Sequence, residues 1–141
     1  MTILNVLRSK GSAVETITAA ARVMDAVQVL GAKRIGALPV AEDGRIVGIM
    51  SERDVIYCLR DHGSEVLDWP VSRVMSSPAI TVDSSMDVLA ALALMTQKRI
   101  RHLPVVEGGE IRGLVSIGDL VKISLEETAQ EAQALRAYIQ S

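Results

Sequence analysis

The chain has 141 residues, a formal charge of −2 and 49% apolar side chains, so one ordinary domain can bury a sizeable core without disulfide or metal staples. Near-balanced charge with no block of one sign excludes a dedicated nucleic-acid surface and gives no reason to expect a membrane one. Aromatic residues, at 2%, are too few for base-stacking platforms.

The opening stretch "MTILNVLRSKG" is too short and too quickly charged for a signal peptide. No apolar run reaches the roughly 18 residues of a membrane span, so the cytoplasm is the expected compartment. "AVETIT", residues 13–18, is a short β-branched run and predicts a strand. From Ala19 to Lys33 the apolar residues Val23, Ala26, Val27 and Leu30 recur at helical spacing. "ALPVAEDGRIVGIMS", residues 37–51, predicts a hairpin around a glycine turn, and Ser51 stands at the N-cap of the helical pattern that follows. The single cysteine, Cys58, falls in that pattern as a helix-face hydrophobe; it excludes an internal disulfide and fits a reducing compartment. The turn formers and short helical pattern of "DHGSEVLDWPVSRVMSSP" predict a linker anchored by Trp69.

The second half repeats the order. "AITVD", residues 79–83, predicts a strand, and Ser84–Lys98 a helix on Val88, Ala91, Leu92 and Met95, capped by Ser84 or Ser85. "HLPVVEGGEIRGLVS", residues 102–116, predicts a second hairpin, and Ser116 caps a long helix over Ile117–Ile139 with an apolar stripe of Leu125, Ala129, Ala132, Leu135 and Ile139. Shifting the chain against itself by 65 residues, without gaps, superposes Thr16 on Thr81, Lys33-Arg34-Ile35 on Lys98-Arg99-Ile100, and Leu38-Pro39-Val40 on Leu103-Pro104-Val105. The same shift brings Gly48 onto Gly113, Ser51 onto Ser116 and Asp54 onto Asp119. Two copies of one unit, each too small to bury its own apolar faces, should pack about a pseudo-twofold axis.

The doubled pattern of Gly48, Ser51 and Asp54 with Gly113, Ser116 and Asp119, the hairpins opened by Leu-Pro-Val, and the two-copy layout resemble a tandem pair of cystathionine β-synthase (CBS) domains, a Bateman module. "SERD", "RHLPV" and "SIGDLVK" resemble small stand-alone bacterial CBS-pair proteins. The resemblance implies an α/β (α+β) fold of two βαββα repeats. The units are residues 1–62 and 75–124, with a linker at 63–74 and a helical extension at 125–141.

It also implies a regulatory sensor, not an enzyme, that binds an adenosine compound in a cleft between repeats: AMP or NAD(H) first, with ATP or ADP possible. S-adenosylmethionine is less suited, because Arg53 and Arg101 favour a phosphate. Asp119 and Asp54 offer carboxylates to ribose hydroxyls. Ser116, Ser51 and the free N–H groups of the helix starts suit an anion, and Gly118 lets a ligand approach the backbone. By resemblance, Thr16, Thr18, Ile35, Gly36, Ala37 and Pro39 line one base pocket. Ile80, Thr81, Val82, Arg101, His102, Leu103 and Pro104 line the other, with Arg101 and His102 able to reach a phosphate in either cleft.

Bland readings stand beside these. Ser followed three residues on by an acid is a common helix opening, Arg53 suits a solvated first turn, and Lys33 and Lys98 offset helix dipoles. His62 and His102, with no cysteine beside either, assemble no zinc-type ligand set. Many CBS units carry a proline after the first strand, which "TITAAA" and "TVDSS" lack. The resemblance further implies a homodimer through the CBS helices that signals to an unidentified downstream protein, while the charge balance argues against a nucleic-acid partner and gives no reason to expect a membrane one. The alternative is an unliganded dimeric interaction module.

Overall fold

The computed structural model describes residues 1–140; Ser141, the last residue of the expected helical extension, lies outside the described residues. Helix α1, Ile3–Lys10, opens on Thr2, whose N–H donates to Asn5 Oδ1 at 2.8 Å, and buries Ile3, Val6 and Leu7 at helical spacing. Strand β1 is only Ile17–Thr18 and runs parallel to β2, Ala37–Glu42, after helix α2, Val23–Lys33. β2 turns back antiparallel into β3, Arg45–Ser51, through Asp43-Gly44, both at positive φ, as a tight hairpin turn requires. Helix α3, Glu52–His62, follows, then two short 3-10 helices, Gly63–Asp68 and Val71–Arg73. Helix α4, Val88–Lys98, leads to the second hairpin, β4 (His102–Glu107) and β5 (Glu110–Ser116), and helix α5, Ile117–Gln140, ends the chain.

Both hairpins slip register at the same place, Val40/Ala41 and Val105/Val106, opposite Gly48 and Gly113. The helices end alike too. Arg34 and Arg99 adopt the left-handed conformation, at φ 52° and 54°, while the next residues, Ile35 and Ile100, donate back to Leu30 and Met95 carbonyls. This is the six-to-one closure that glycine usually makes at lower cost. A mixed α/β fold of two hairpin-centred repeats with a long C-terminal helix is therefore what the chain forms.

Three local expectations are corrected. "AITVD" forms no strand, because the Asp83 carboxylate takes the Ser85 N–H at 2.8 Å and turns the chain after one parallel bridge, Val82 to Val105. Helices α2 and α4 begin four residues later than the apolar pattern suggested. The cap of α4 is neither Ser84 nor Ser85 but Asp87, which accepts the N–H groups of Leu89 and Ala90 at 3.0 and 3.2 Å.

The cores are exchanged between the two ends of the chain. α1, at the start of the unit read as residues 1–62 and ahead of its strand and hairpin, packs in the core of the second repeat, with Val82, Val88, Ala91, Met95, Leu103, Val115 and Leu120. Conversely, Val66, Val71 and Val74, which precede the second repeat, complete the first core of Val23, Ala26, Leu30, Leu38, Val40 and Met50. Val6 and Val71 are related by the same 65-residue shift, so each core is closed by the segment ahead of the other repeat. This exchange joins the two halves, and the hairpins meet through β3 and β5. Among the described residues no helix is long and apolar enough to cross a membrane.

Candidate functional site

A groove lies between the repeats where the start of α3 faces the segments around β4. It encloses about 840 Å³ of space, its open mouth included, and is lined by Gly36, Ile49, Ser51, Glu52, Arg53, Asp54 and Tyr57 from the first half. Ser76, Pro78, Ile80, Arg99, Ile100, Arg101 and His102 line it from the second. Of the residues expected from the sequence it brings together Gly36, Ser51, Arg53, Asp54, Ile80, Arg101 and His102.

The others lie elsewhere. Ala37, Pro39, Leu103 and Pro104 are buried within β2 and β4, where Leu-Pro-Val serves the cores. Ile35 packs half-buried against the first core and Val82 belongs to the second. Thr16, Thr18 and Thr81 are exposed. Ser116, Gly118 and Asp119 stand at the start of α5, away from this groove.

Each Ser-x-x-Asp segment forms a reciprocal cap. The Asp54 N–H donates to Ser51 Oγ at 3.2 Å and the Ser51 N–H to Asp54 Oδ2 at 2.8 Å; the matching distances at Asp119 and Ser116 are 3.1 and 2.8 Å. The bland reading of these residues is therefore true, and it is compatible with a second role. Asp54 Oδ1 accepts only a long hydrogen bond from the Ser76 hydroxyl, at 3.4 Å. The helix starts offer less to an anion than expected. The Glu52 N–H already donates to the Gly36 carbonyl and the Ile117 N–H to that of Arg101, each at 2.9 Å. Positive charge in the groove thus comes from side chains: Arg53, Arg99 and Arg101 outnumber Glu52 and Asp54.

His102 sits half-buried against Gly36. A methyl group built on Gly36 would lie 3.1 Å from both Cε1 and Nε2 of the imidazole, so glycine is what admits the ring. Burial pushes the His102 pKa below its ordinary 6.5, opposed by the Glu52 carboxylate and assisted by Lys10. At the mouth, Arg53 Nη2 donates to the Tyr57 hydroxyl at 3.4 Å. This bond and the guanidinium charge draw the phenol below its ordinary value of 10.0, and Arg60 stacks over the ring at 5.5 Å.

Sequence reasoning missed Ile49, Glu52, Tyr57, Ser76, Pro78, Arg99 and Ile100. Helical spacing carried a signal for Tyr57, one turn on from Arg53 and Asp54, and Arg99-Ile100 adjoin Arg101. Ser76 and Pro78 lay in what read as linker and gave none.

A family model for the CBS domain matches residues 11–61 and again 71–126. The chain belongs to the CBS-domain family. This CBS pair is 36% identical to the Arabidopsis thaliana "CBS domain-containing protein CBSX3, mitochondrial", over 99% of this chain and 72% of that protein. Its fold matches the crystal structure of a CBS-domain containing protein from Agrobacterium tumefaciens with a TM-score of 0.85 and 32% identity, over 88% of this chain and 99% of the other. It also matches CBSX2, solved in complex with AMP, with a TM-score of 0.74 and 25% identity over 90% and 98% of the two chains.

Proposed function

We propose that this regulatory CBS pair binds an adenine nucleotide in the groove beside Asp54 and transmits its occupancy through the geometry of a homodimer to a separate protein. One observation carries the reading: a single groove, walled by both repeats, combines a carboxylate, three arginines and an apolar wall of Ile49, Pro78, Ile80 and Ile100. Asp54 Oδ1 takes ribose hydroxyls in place of the long Ser76 contact, while Oδ2 keeps the helix cap. Arg53, Arg99 and Arg101 hold phosphate. The neutral His102 ring and the isoleucines receive the base. Three guanidinium groups oppose a sulfonium, which places AMP and the adenylate half of NAD(H) ahead of S-adenosylmethionine, with ATP and ADP between. Because the groove is walled by both halves, a ligand that fits one relative arrangement better than another shifts the pair by that difference in affinity. The reading needs no chemical step.

Titration calorimetry of the full chain with AMP, ATP, NADH and S-adenosylmethionine tests it. Saturable binding of AMP or NADH is expected, and Asp54→Asn, which can keep the cap, weakens it at least about tenfold, near 1.4 kcal/mol. No saturable binding to any of the four removes the reading. The reciprocal caps at Ser51 and Ser116 favour a second reading, an unliganded interaction module. In that case Asp54→Ala costs about 1 kcal/mol of stability and nothing else.

A further inference from the structure

The 65-residue shift that relates the repeats implies a second cleft beside Asp119, and comparing the two contact by contact shows that they are not equivalent. In the first, Ser76 faces the motif: its N–H donates to the Ile49 carbonyl at 2.8 Å and its hydroxyl to Asp54 Oδ1 at 3.4 Å. In the second, one charged group does both tasks. Lys10 Nζ donates to the carbonyl of Leu114, the counterpart of Ile49, at 2.7 Å, and to Asp119 Oδ2 at 2.5 Å. Lys10 is not a loose surface lysine. It ends α1, which Ile3, Val6 and Leu7 fix in the second core, and Leu7 Cδ2 presses so closely on β5 that a methyl group at Gly113 would lie 2.6 Å from it.

We propose that Lys10 is a built-in occupant of the second Ser-x-x-Asp motif, so that the pair takes one nucleotide per chain, in the groove beside Asp54. The stoichiometry rests on the nucleotide reading given above; the occupancy by Lys10 does not. Lys10 shares Oδ2 with the capping Ser116 N–H, so what it takes from a ribose is the carboxylate's negative charge and the space beside it rather than the lone pairs of Oδ1. Burial alone would push the Asp119 pKa up, but Lys10 and Ser116 outweigh it and hold the carboxyl below its ordinary 3.8. Other positions point the same way. Where the first groove has Arg53 for phosphate the second motif has Gly118, and where the first has apolar Ile80 the shift places Glu15, ion-paired with Lys33 at 3.6 Å.

Calorimetry with AMP on the full chain should give close to one site per chain, lost in Asp54→Asn. Lys10→Ala should leave that site within about twofold in Kd and add a second, at least about tenfold weaker. Two sites in the unaltered chain overturn the proposal, as does a single site in Lys10→Ala, or binding lost in Asp119→Asn but kept in Asp54→Asn; the groove reading would survive the first two of these. If no nucleotide binds at all, the groove reading fails and Lys10 is judged without ligand. In a double-mutant cycle of Lys10→Met and Asp119→Asn in urea, the unfolding constants should depart from independence by about threefold or more. Simple multiplication of the single effects overturns the assignment.

Discussion

Gly48 and Gly113 occupy equivalent bulges, yet the atoms facing them differ in kind. A methyl group on Gly48 would lie 2.7 Å from Met75 Sδ and 2.8 Å from the Ser76 backbone oxygen, whereas the three atoms nearest to one on Gly113 all belong to the side chain of Leu7. Backbone held in a bridge to Ile49 cannot retreat, but the end of a leucine can rotate. Gly48→Ala should therefore cost about 2–3 kcal/mol and Gly113→Ala about 1 or less, read as shifts of the urea midpoint at constant slope. Equal costs would mean that the two approaches are equally soft. His102 makes a separate prediction at this scale. Its folded pKa is lowered by burial, so the unfolded chain binds the proton more readily, and the stability it contributes is present above the ordinary 6.5 and lost as pH falls through the lower folded value. Thermal melts from pH 7.5 down to 5.0 should show a fall in Tm that His102→Gln flattens; an unchanged slope would show that another group sets it.

At the scale of elements, the sequence carried the hairpins and the caps because they depend on neighbours a few residues apart. Leu-Pro-Val, the glycine turns and the two serines are local instructions, and the structure follows them. α1 was illegible for the opposite reason. Its eight residues show a buried face only because Val88, Leu103 and Leu120, about 80 or more positions away, are there to receive it. The candidate site divides along the same line. Gly36, Ser51, Arg53 and Asp54 could be named from the repeat, but the repeat could not say which copy faces an open groove. That asymmetry arises from Lys10 on one side and Ser76 on the other, and both lie ahead of the motif that marks the unit. Arg99 shows how one residue answers to two demands. It closes α4 in a left-handed conformation that glycine would adopt more cheaply, and the same residue lines the groove and brings a positive charge to it.

Across the whole molecule, apolar surface is distributed unevenly. Within α5, which is 24 residues or about 36 Å long, only Leu120 and Ile123 are buried, and the helix runs on for 17 residues, about 25 Å, past Ile123. Leu125, Leu135 and Ile139 are 65%, 60% and 72% exposed, and Ile56 on α3 and Leu89 on α4 add further apolar surface on the helices. A helix of this length gains little from its own propensities in water and draws most of its stability from packing an apolar face. A second copy meets that need if it brings the same stripe to a twofold axis, where each residue sits near its own mate. Sedimentation of the full chain should therefore report about twice the 15.1 kDa of one chain. Leu125→Glu together with Leu135→Glu should weaken that association at least about tenfold, while the urea midpoint of the diluted monomer stays within error, because neither side chain belongs to a core. A chain that sediments as a monomer at 100 micromolar (roughly a hundredfold above a micromolar Kd), or a double variant that associates as before, would detach α5 from assembly. Nucleotide occupancy would then have to be read on the groove surface itself.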